Sequence, residues 1–179
     1  MAHATSSVDG EDVAAEVVRA LTAARRTIAV AESLTGGAVT AALVDVPGAS
    51  AVLRGGVVAY ATPLKASLLG VDADLLAAHG AVHPLVAEQM ARGVREAAEI
   101  EGAPADYGLA TTGVAGPDPQ DGAPVGLVFV AIADAEGCEV REVHASGDRS
   151  AIRAATARAA LELLAERLAA DETRPPSST

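Results

Sequence analysis

The sequence predicts an α/β domain, a three-layer α/β/α sandwich around a mixed sheet. Three observations carry that prediction. Short β-branched runs alternate with helical periodicity through the first part of the chain, the pattern of strands joined by helices. Two strand-like runs then follow one another across a short turn, which reads as an antiparallel hairpin. Half of the 179 residues are apolar, enough for a core on both faces of a covered sheet. The length fits a single domain of roughly 100–200 residues.

Residues 1–10 read as a flexible leader and 11–170 as the domain. From Glu11 to Ala24, the residues Val13, Val17 and Leu21 recur every four positions and share one helix face. Thr27–Ala31 is short and β-branched, hence a strand. Ser33 follows it, Gly36-Gly37 opens a helix that runs to Val44, and Pro47-Gly48 ends that helix. Gly56–Tyr60 reads as the next strand. Pro63 suits the first turn of a short helix that carries Lys65 and closes at Gly70. Asp72–His79 is a further short helix. Pro84–Glu101 is a long one with Val86, Met90, Val94 and Ala97 along one side. Tyr107–Thr112 is a strand leading into the loop GVAGPDPQDGAP. Val125–Ala133 and Cys138–Ala145 pair around a turn at Asp134–Gly137, and Asp148–Ala169 is the last helix. The polar, proline-rich tail 171–179 reads as disordered.

Composition excludes several functions. The formal net charge is −11, which repels a phosphate backbone, and Tyr60, Tyr107 and Phe129 are too few aromatics to stack bases. Nucleic acid is therefore not the expected partner. Cys138 is the sole cysteine, so neither an internal disulfide nor a cysteine-rich metal site is available. The start MAHATSSVDGEDV has no basic end and no apolar run, and no apolar stretch reaches the ~18–20 residues of a membrane span. The expected compartment is the cytoplasm, away from the membrane.

Four constellations could carry chemistry. Ala31-Glu32-Ser33-Leu34-Thr35-Gly36-Gly37 lies between a strand and a helix, where a nucleophile can stand beside free N–H groups able to hold an oxyanion. Ser33 or Thr35 could equally cap the helix. Glu32 either orients Lys65 or belongs to the turn. Lys65, the only lysine, sits among Leu64, Ala66, Leu68 and Leu69 a short way past Tyr60. Desolvation there would let it act as a base, and the alternative is a snorkelling surface lysine. Thr112-Gly113-Val114-Ala115-Gly116 follows a strand, where open α/β sheets place ligand crevices. Asp148-Arg149, with Arg153 one turn later, forms a helix start suited to phosphate, or a plain N-cap beside solvated arginines. His79 and His83 are four apart with Gly80 between them and without a clear third ligand, so no metal site is expected.

The succession AESLTGG, GGVVAYATPLKASLLGV, HGAV, TTGVAGPDPQDGAPVG and SGDRSAIRAAT resembles the C-terminal domain of the competence-damage-inducible (CinA) family. It is similar to the stand-alone form of that domain, a nicotinamide-nucleotide amidohydrolase, over about residues 11–170. The resemblance implies Ser33 as nucleophile, Lys65 as base and Tyr60 beside them. It also implies a substrate pocket at Thr112–Gly116, Arg149 on a nucleotide phosphate, no metal or other cofactor, and a homodimer. Thr35, Gly36, Gly37, Thr112, Gly113, Ala115, Gly116, Arg149 and Arg153 are the expected substrate-binding positions. Three positions depart from the family pattern. Leu34 replaces a frequent Cys, Ala61-Thr62 replaces a frequent Ser-Asn, and His83 stands at a position often small and polar. Longer relatives carry an additional N-terminal domain that resembles a molybdopterin-binding fold. The expected reaction turns nicotinamide mononucleotide into nicotinic acid mononucleotide and ammonia. Its rivals are hydrolysis of another pyridine nucleotide or small amide, and a non-catalytic nucleotide-binding module in DNA uptake or repair.

Overall fold

The computed structural model describes residues 8–173. The elements are α1 (Val8–Ala24), β1 (Ile28–Glu32), α2 (Ala38–Val44), β2 (Leu53–Val58), α3 (Thr62–Leu69), α4 (Ala73–His79), α5 (Pro84–Ala97), β3 (Tyr107–Gly113), β4 (Leu127–Ala133), β5 (Cys138–His144) and α6 (Arg149–Thr173). The sheet has five strands in the order β2-β1-β3-β4-β5. The first three are parallel and the last two run antiparallel as the hairpin. Helices α1, α2 and α6 pack on one face, and α3, α4 and α5 on the other. The predicted three-layer sandwich is thus the observed fold. No helix among the described residues is long and apolar enough to cross a membrane.

The two faces of the sheet differ in side-chain size. Ile28 and Val30, Tyr107 and Leu109, and Val128, Val130 and Ile132 point toward α1 and α6. Ala29 and Ala31, Ala110, and Ala131 and Ala133 point toward α5, as the period-two alternation of strands requires. Small residues let α5 lie close to the sheet. At Gly108 an added Cβ would fall 2.0 Å from the Ala91 carbonyl oxygen. Helix α5 in turn presents Gly93 to α3, where a Cβ would lie 1.8 Å from the Leu69 carbonyl oxygen. Helix α3 carries Lys65 and is seated by this contact.

Most boundaries differ from the sequence reading by a residue or two, and four differ by more, two of these for a visible reason. Helix α1 begins at Val8, inside the expected leader, and α6 continues to Thr173, past the expected start of the tail. The remainder of the leader and tail lies outside the described residues. Strand β2 begins at Leu53 rather than Gly56, because Leu53, Gly55 and Gly56 pair with β1 despite their low strand propensity. Gly56 has a packing reason, since a Cβ there would meet the Thr40 hydroxyl at 2.3 Å. Helix α5 stops at Ala97 rather than Glu101. Ile100 and Ala103 pair across Glu101-Gly102, both at positive φ, and Arg54 donates to the Ala98 and Ala103 carbonyls. A short 3-10 turn at Ala49–Ala51, unread in the sequence, links α2 to β2.

The Gly93 contact gives a prediction about the fold. Gly93→Ala improves helix propensity, yet it must push α3 off α5. The expected net effect is destabilisation of about 1–3 kcal/mol, the scale of overpacking. Urea denaturation midpoints measure it, and a variant as stable as the parent would show that α3 yields without cost.

Candidate active site

Strand β1 is the hinge of the site. Its partners β2 and β3 lie on opposite sides. The connection after β1 passes through α2 on one face, and the one after β2 passes through α3–α5 on the other. The chain thus diverges at the carboxyl ends of β1 and β3, where α/β sheets open a crevice. A cleft of about 330 Å³ lies there. Its walls include Ser33 and Leu34 after β1, Tyr60 after β2, and Lys65 on α3. Thr112–Gly116 at the end of β3 and Arg149 on α6 complete them.

Ser33 is held by its backbone, its N–H donating to the Thr111 carbonyl at 3.0 Å. The Lys65 side chain has no exposed surface. Its Nζ donates to Ser33 Oγ at 3.0 Å and to the Ala59 carbonyl at 2.8 Å. Among the described residues no carboxylate forms an ion pair with Lys65. Burial without a counter-charge pulls its pKa from 10.5 down to about 8, as desolvation disfavours the ammonium form. About half of Lys65 is therefore neutral near pH 8, where an ordinary lysine stays almost wholly protonated. With one N–H kept on Ala59, the amine lone pair is free to accept the Ser33 proton.

Glu32, the neighbour of the serine, turns the other way. Its carboxylate accepts the N–H groups of Gly37, Val39 and Thr40 at 2.9, 3.1 and 2.8 Å, and the Thr40 hydroxyl at 2.7 Å. It caps α2, as an anion at a helix N-terminus should, and does not orient Lys65. Of the two expected sources of oxyanion donors, the N–H groups near Gly36-Gly37 or that of Gly113, the first is corrected, because the Gly36 N–H is also engaged, by the Ser33 carbonyl at 3.1 Å. The Ser33–Gly36 turn leaves the Leu34 and Thr35 N–H groups without a protein acceptor among the described residues. Leu34 lines the cleft immediately after Ser33.

Two arginines of α6 divide the work expected of both. Arg149 lines the cleft and donates to the Gly116 carbonyl at 2.6 Å and to the Tyr60 hydroxyl at 2.7 Å. Arg153 lies behind the site, its Nε and Nη2 donating to the Leu34 and Thr35 carbonyls at 3.0 and 2.7 Å. It is corrected from a phosphate ligand to a clamp on the nucleophile turn. Thr35, Gly36 and Gly37 likewise do not line the cleft. The buried Thr35 hydroxyl pairs with that of Thr111 at 2.7 Å. Tyr60 lines the cleft half-exposed, tied to Arg149. Thr112 donates its hydroxyl to the Ala81 carbonyl at 2.7 Å, fixing the α4–α5 junction as one wall.

The sequence reading gave no role to several cleft residues: Ala81, Val82, Asp118 and Gln120. Ala81 and Val82 carry no reactive group, and Asp118 and Gln120 lay within a loop read only for its glycines. His79 and His83 come together with ring centroids 4.6 Å apart, and His83 Nδ1 caps α5 by accepting the Leu85 N–H at 3.3 Å. Burial pushes the Cys138 thiol up to about 11, which leaves it unreactive. A larger hollow of about 560 Å³ opens at the opposite end of the sheet. Its lining includes the Arg26–Asp106 ion pair and Asp134, and among the described residues it holds no nucleophile–base pair.

The buried amine also has a stability signature. Lys65→Met keeps the bulk and removes the charge. The folded pKa of about 8 lies below the unfolded 10.5, so between those values the unfolded chain holds more protons and parent stability rises with pH. Below pH 8 both states are protonated and the burial penalty is fully present. The methionine variant is expected to be more stable than the parent by about 1–3 kcal/mol at pH 7. The gap should close toward pH 10.5. Paired denaturant melts across this range measure it, and a gap independent of pH would exclude a perturbed lysine.

Residues 10–168 match the family model described as the CinA C-terminal domain. A CinA-like protein of Frankia casuarinae is 52% identical over 143 residues, covering 80% of this chain and 32% of that protein. A putative competence-damage inducible protein of Desulforamulus reducens is 48% identical over 155 residues, covering 87% and 36%. The chain spans about a third of the length of these relatives. Among solved structures, the competence/damage inducible protein CihA from Agrobacterium tumefaciens superposes with a TM-score of 0.83 at 34% identity, covering 93% of this chain and 99% of that one. A CinA superfamily protein from Klebsiella pneumoniae gives 0.84 at 34% identity, covering 90% and 99%.

Proposed function

The chain belongs to the CinA C-terminal domain family, and from that premise we propose that it is a serine–lysine amidohydrolase acting on the carboxamide of nicotinamide mononucleotide. The observation that carries the reading is the 3.0 Å contact between Ser33 Oγ and a buried Lys65 Nζ on the cleft. A serine is a weak nucleophile unless a neighbour takes its proton. A lysine can do so only when neutral, and burial supplies that condition.

The reaction proceeds by acyl transfer. Lys65 accepts the Ser33 proton as Oγ bonds to the carboxamide carbon. The Leu34 N–H, unpaired beside the nucleophile, is the donor placed for the oxyanion, a role the residue after a nucleophile often takes. The proton on Lys65 passes to the departing nitrogen, the C–N bond breaks, and ammonia leaves an ester on Ser33. Lys65 then takes a proton from water as its oxygen attacks the ester, and returns one to Ser33 as the acid leaves. Arg149 retains unused guanidinium donors at the cleft for the phosphate of the substrate.

Ammonia release from nicotinamide mononucleotide tests the reading. Ser33→Ala and Lys65→Ala are each expected to lower kcat by several orders of magnitude. The double variant should be about as poor as the worse single one, since the pair acts as a unit. Lys65→Arg should not restore the rate, because guanidinium stays protonated. In the parent, kcat/KM should rise with pH through an ionisation near 8, the folded value of Lys65. A chain that binds the nucleotide yet releases no ammonia is instead the non-catalytic module.

Arg149 has its own test. Arg149→Ala should raise KM for the mononucleotide by a factor equivalent to about 1.5–3 kcal/mol, the scale of charge-assisted hydrogen bonds. The phosphate-free riboside should change little. Equal losses on both substrates would assign Arg149 to holding Gly116 and Tyr60 in place.

A further inference from the structure

Three charged side chains line the cleft: Lys65, Arg149 and Asp118. The proposed mechanism uses the first two. Asp118 is exposed, and among the described residues its carboxylate makes no hydrogen bond or ion pair. A solvated carboxylate needs no partner, so that alone marks nothing. Its setting is what singles it out. Pro117 and Pro119 flank it, fixing φ on both sides and restricting the backbone of Asp118, which lies in a bend. On one side Arg149 grips the Gly116 carbonyl at 2.6 Å. On the other, Gln120 and Ala123 exchange backbone hydrogen bonds of 3.1 and 2.8 Å. Asp121 there packs against Gly80 so closely that a Cβ on that glycine would lie 2.7 Å from its side chain. The backbone is pinned before and after Asp118, which keeps its carboxylate at the cleft.

We infer that Asp118 is a specificity-determining residue that selects a cationic ring, standing as counter-charge to a pyridinium while Arg149 holds the phosphate. The inference rests on the proposed amidase reading and refines its substrate class. The substrate of that reading carries a positive ring nitrogen and a negative phosphate at opposite ends of one ribose. Its carboxamide must reach Ser33. A cleft bearing one exposed cation and one exposed anion complements such a molecule. Lys65, held below its ordinary pKa by burial, opposes the ring less than a normal lysine would. The 1,4-dihydro form of the same mononucleotide has the same amide, ribose and phosphate but an uncharged ring. Comparing the two forms isolates the ring charge.

The experiment is calorimetric titration of Ser33→Ala and of Ser33→Ala/Asp118→Asn with nicotinamide mononucleotide and with its dihydro form. Removing the carboxylate should weaken the oxidised form about three- to tenfold, as expected for an exposed charge pair. The dihydro form should move less than about twofold, and the difference should shrink in about 0.5 M salt. Asp118→Glu should keep the preference for the charged ring. Equal weakening of both forms, no weakening of either, or no binding of the oxidised form overturns the inference. The amidase reading fails separately, in the chain with Ser33 intact. Charge-dependent binding without ammonia release keeps Asp118's role and removes the amidase. Ammonia release with charge-indifferent binding does the reverse.

Discussion

A lysine amine with no exposed surface and, among the described residues, no carboxylate partner has to be held by everything packed around it. Lys65 is seated by the α3–α5 contact, where Gly93 is the only residue type that fits under the Leu69 carbonyl. Helix α5 can lie that deep because the strands beneath it present Gly108, Ala110, Ala131 and Ala133. The small-residue face of the sheet and the buried amine are therefore parts of one arrangement. The absence of an ion pair matters as much as the burial. A carboxylate within reach would stabilise the ammonium form and raise the pKa, and the adjacent Glu32 is instead spent on the N-terminus of α2.

The spacing of Arg149 and Arg153, four residues apart on α6, places both on one side of a helix. One turn of helix separates a side chain at the cleft from one behind it. Arg153 holds the Leu34 and Thr35 carbonyls. In a planar trans peptide the following N–H points opposite to its carbonyl. Fixing the Leu34 carbonyl toward α6 thus directs the Thr35 N–H away from α6. The turn that bears Ser33 is thereby set from outside, by α6, and from inside, by the Ser33 bond to Thr111 in β3. Neither contact reaches the cleft.

The fold was legible because each layer left a periodic trace. The four-residue recurrence of Val13, Val17 and Leu21, and the Val86–Met90–Val94 series, are core faces of α1 and α5. The Asp134–Gly137 turn is where the hairpin closes. Strand β2 was read from Gly56 to Tyr60 and runs instead from Leu53 to Val58, with Thr40 of α2 making Gly56 a packing requirement. Ser33, Lys65, Thr112, Gly116 and Arg149 were legible as residues and do share the cleft. The direction a polar group faces was not legible. Glu32 caps a helix, and Arg153 clamps a turn. Thr35, in the turn after β1, pairs with Thr111 of β3, 76 positions apart in sequence. Such choices depend on which backbone groups the fold leaves unpaired, and a single chain does not display them.

The net charge of −11 and the proposed phosphate-bearing substrate are compatible because charge acts locally. At physiological salt the screening length is about 8 Å, so acidic groups on the far side of the molecule contribute little at the cleft. What a ligand meets there is set by Arg149, by Asp118, and by the protonation of Lys65. The sheet topology places all three. Arg149 follows the β4–β5 hairpin, Asp118 lies in the loop between β3 and β4, and Lys65 follows β2. Only where connections leave β1 and its neighbours toward opposite faces can these three segments converge on one serine. The switch point of the sheet therefore fixes the electrostatics of the cleft as well as its position.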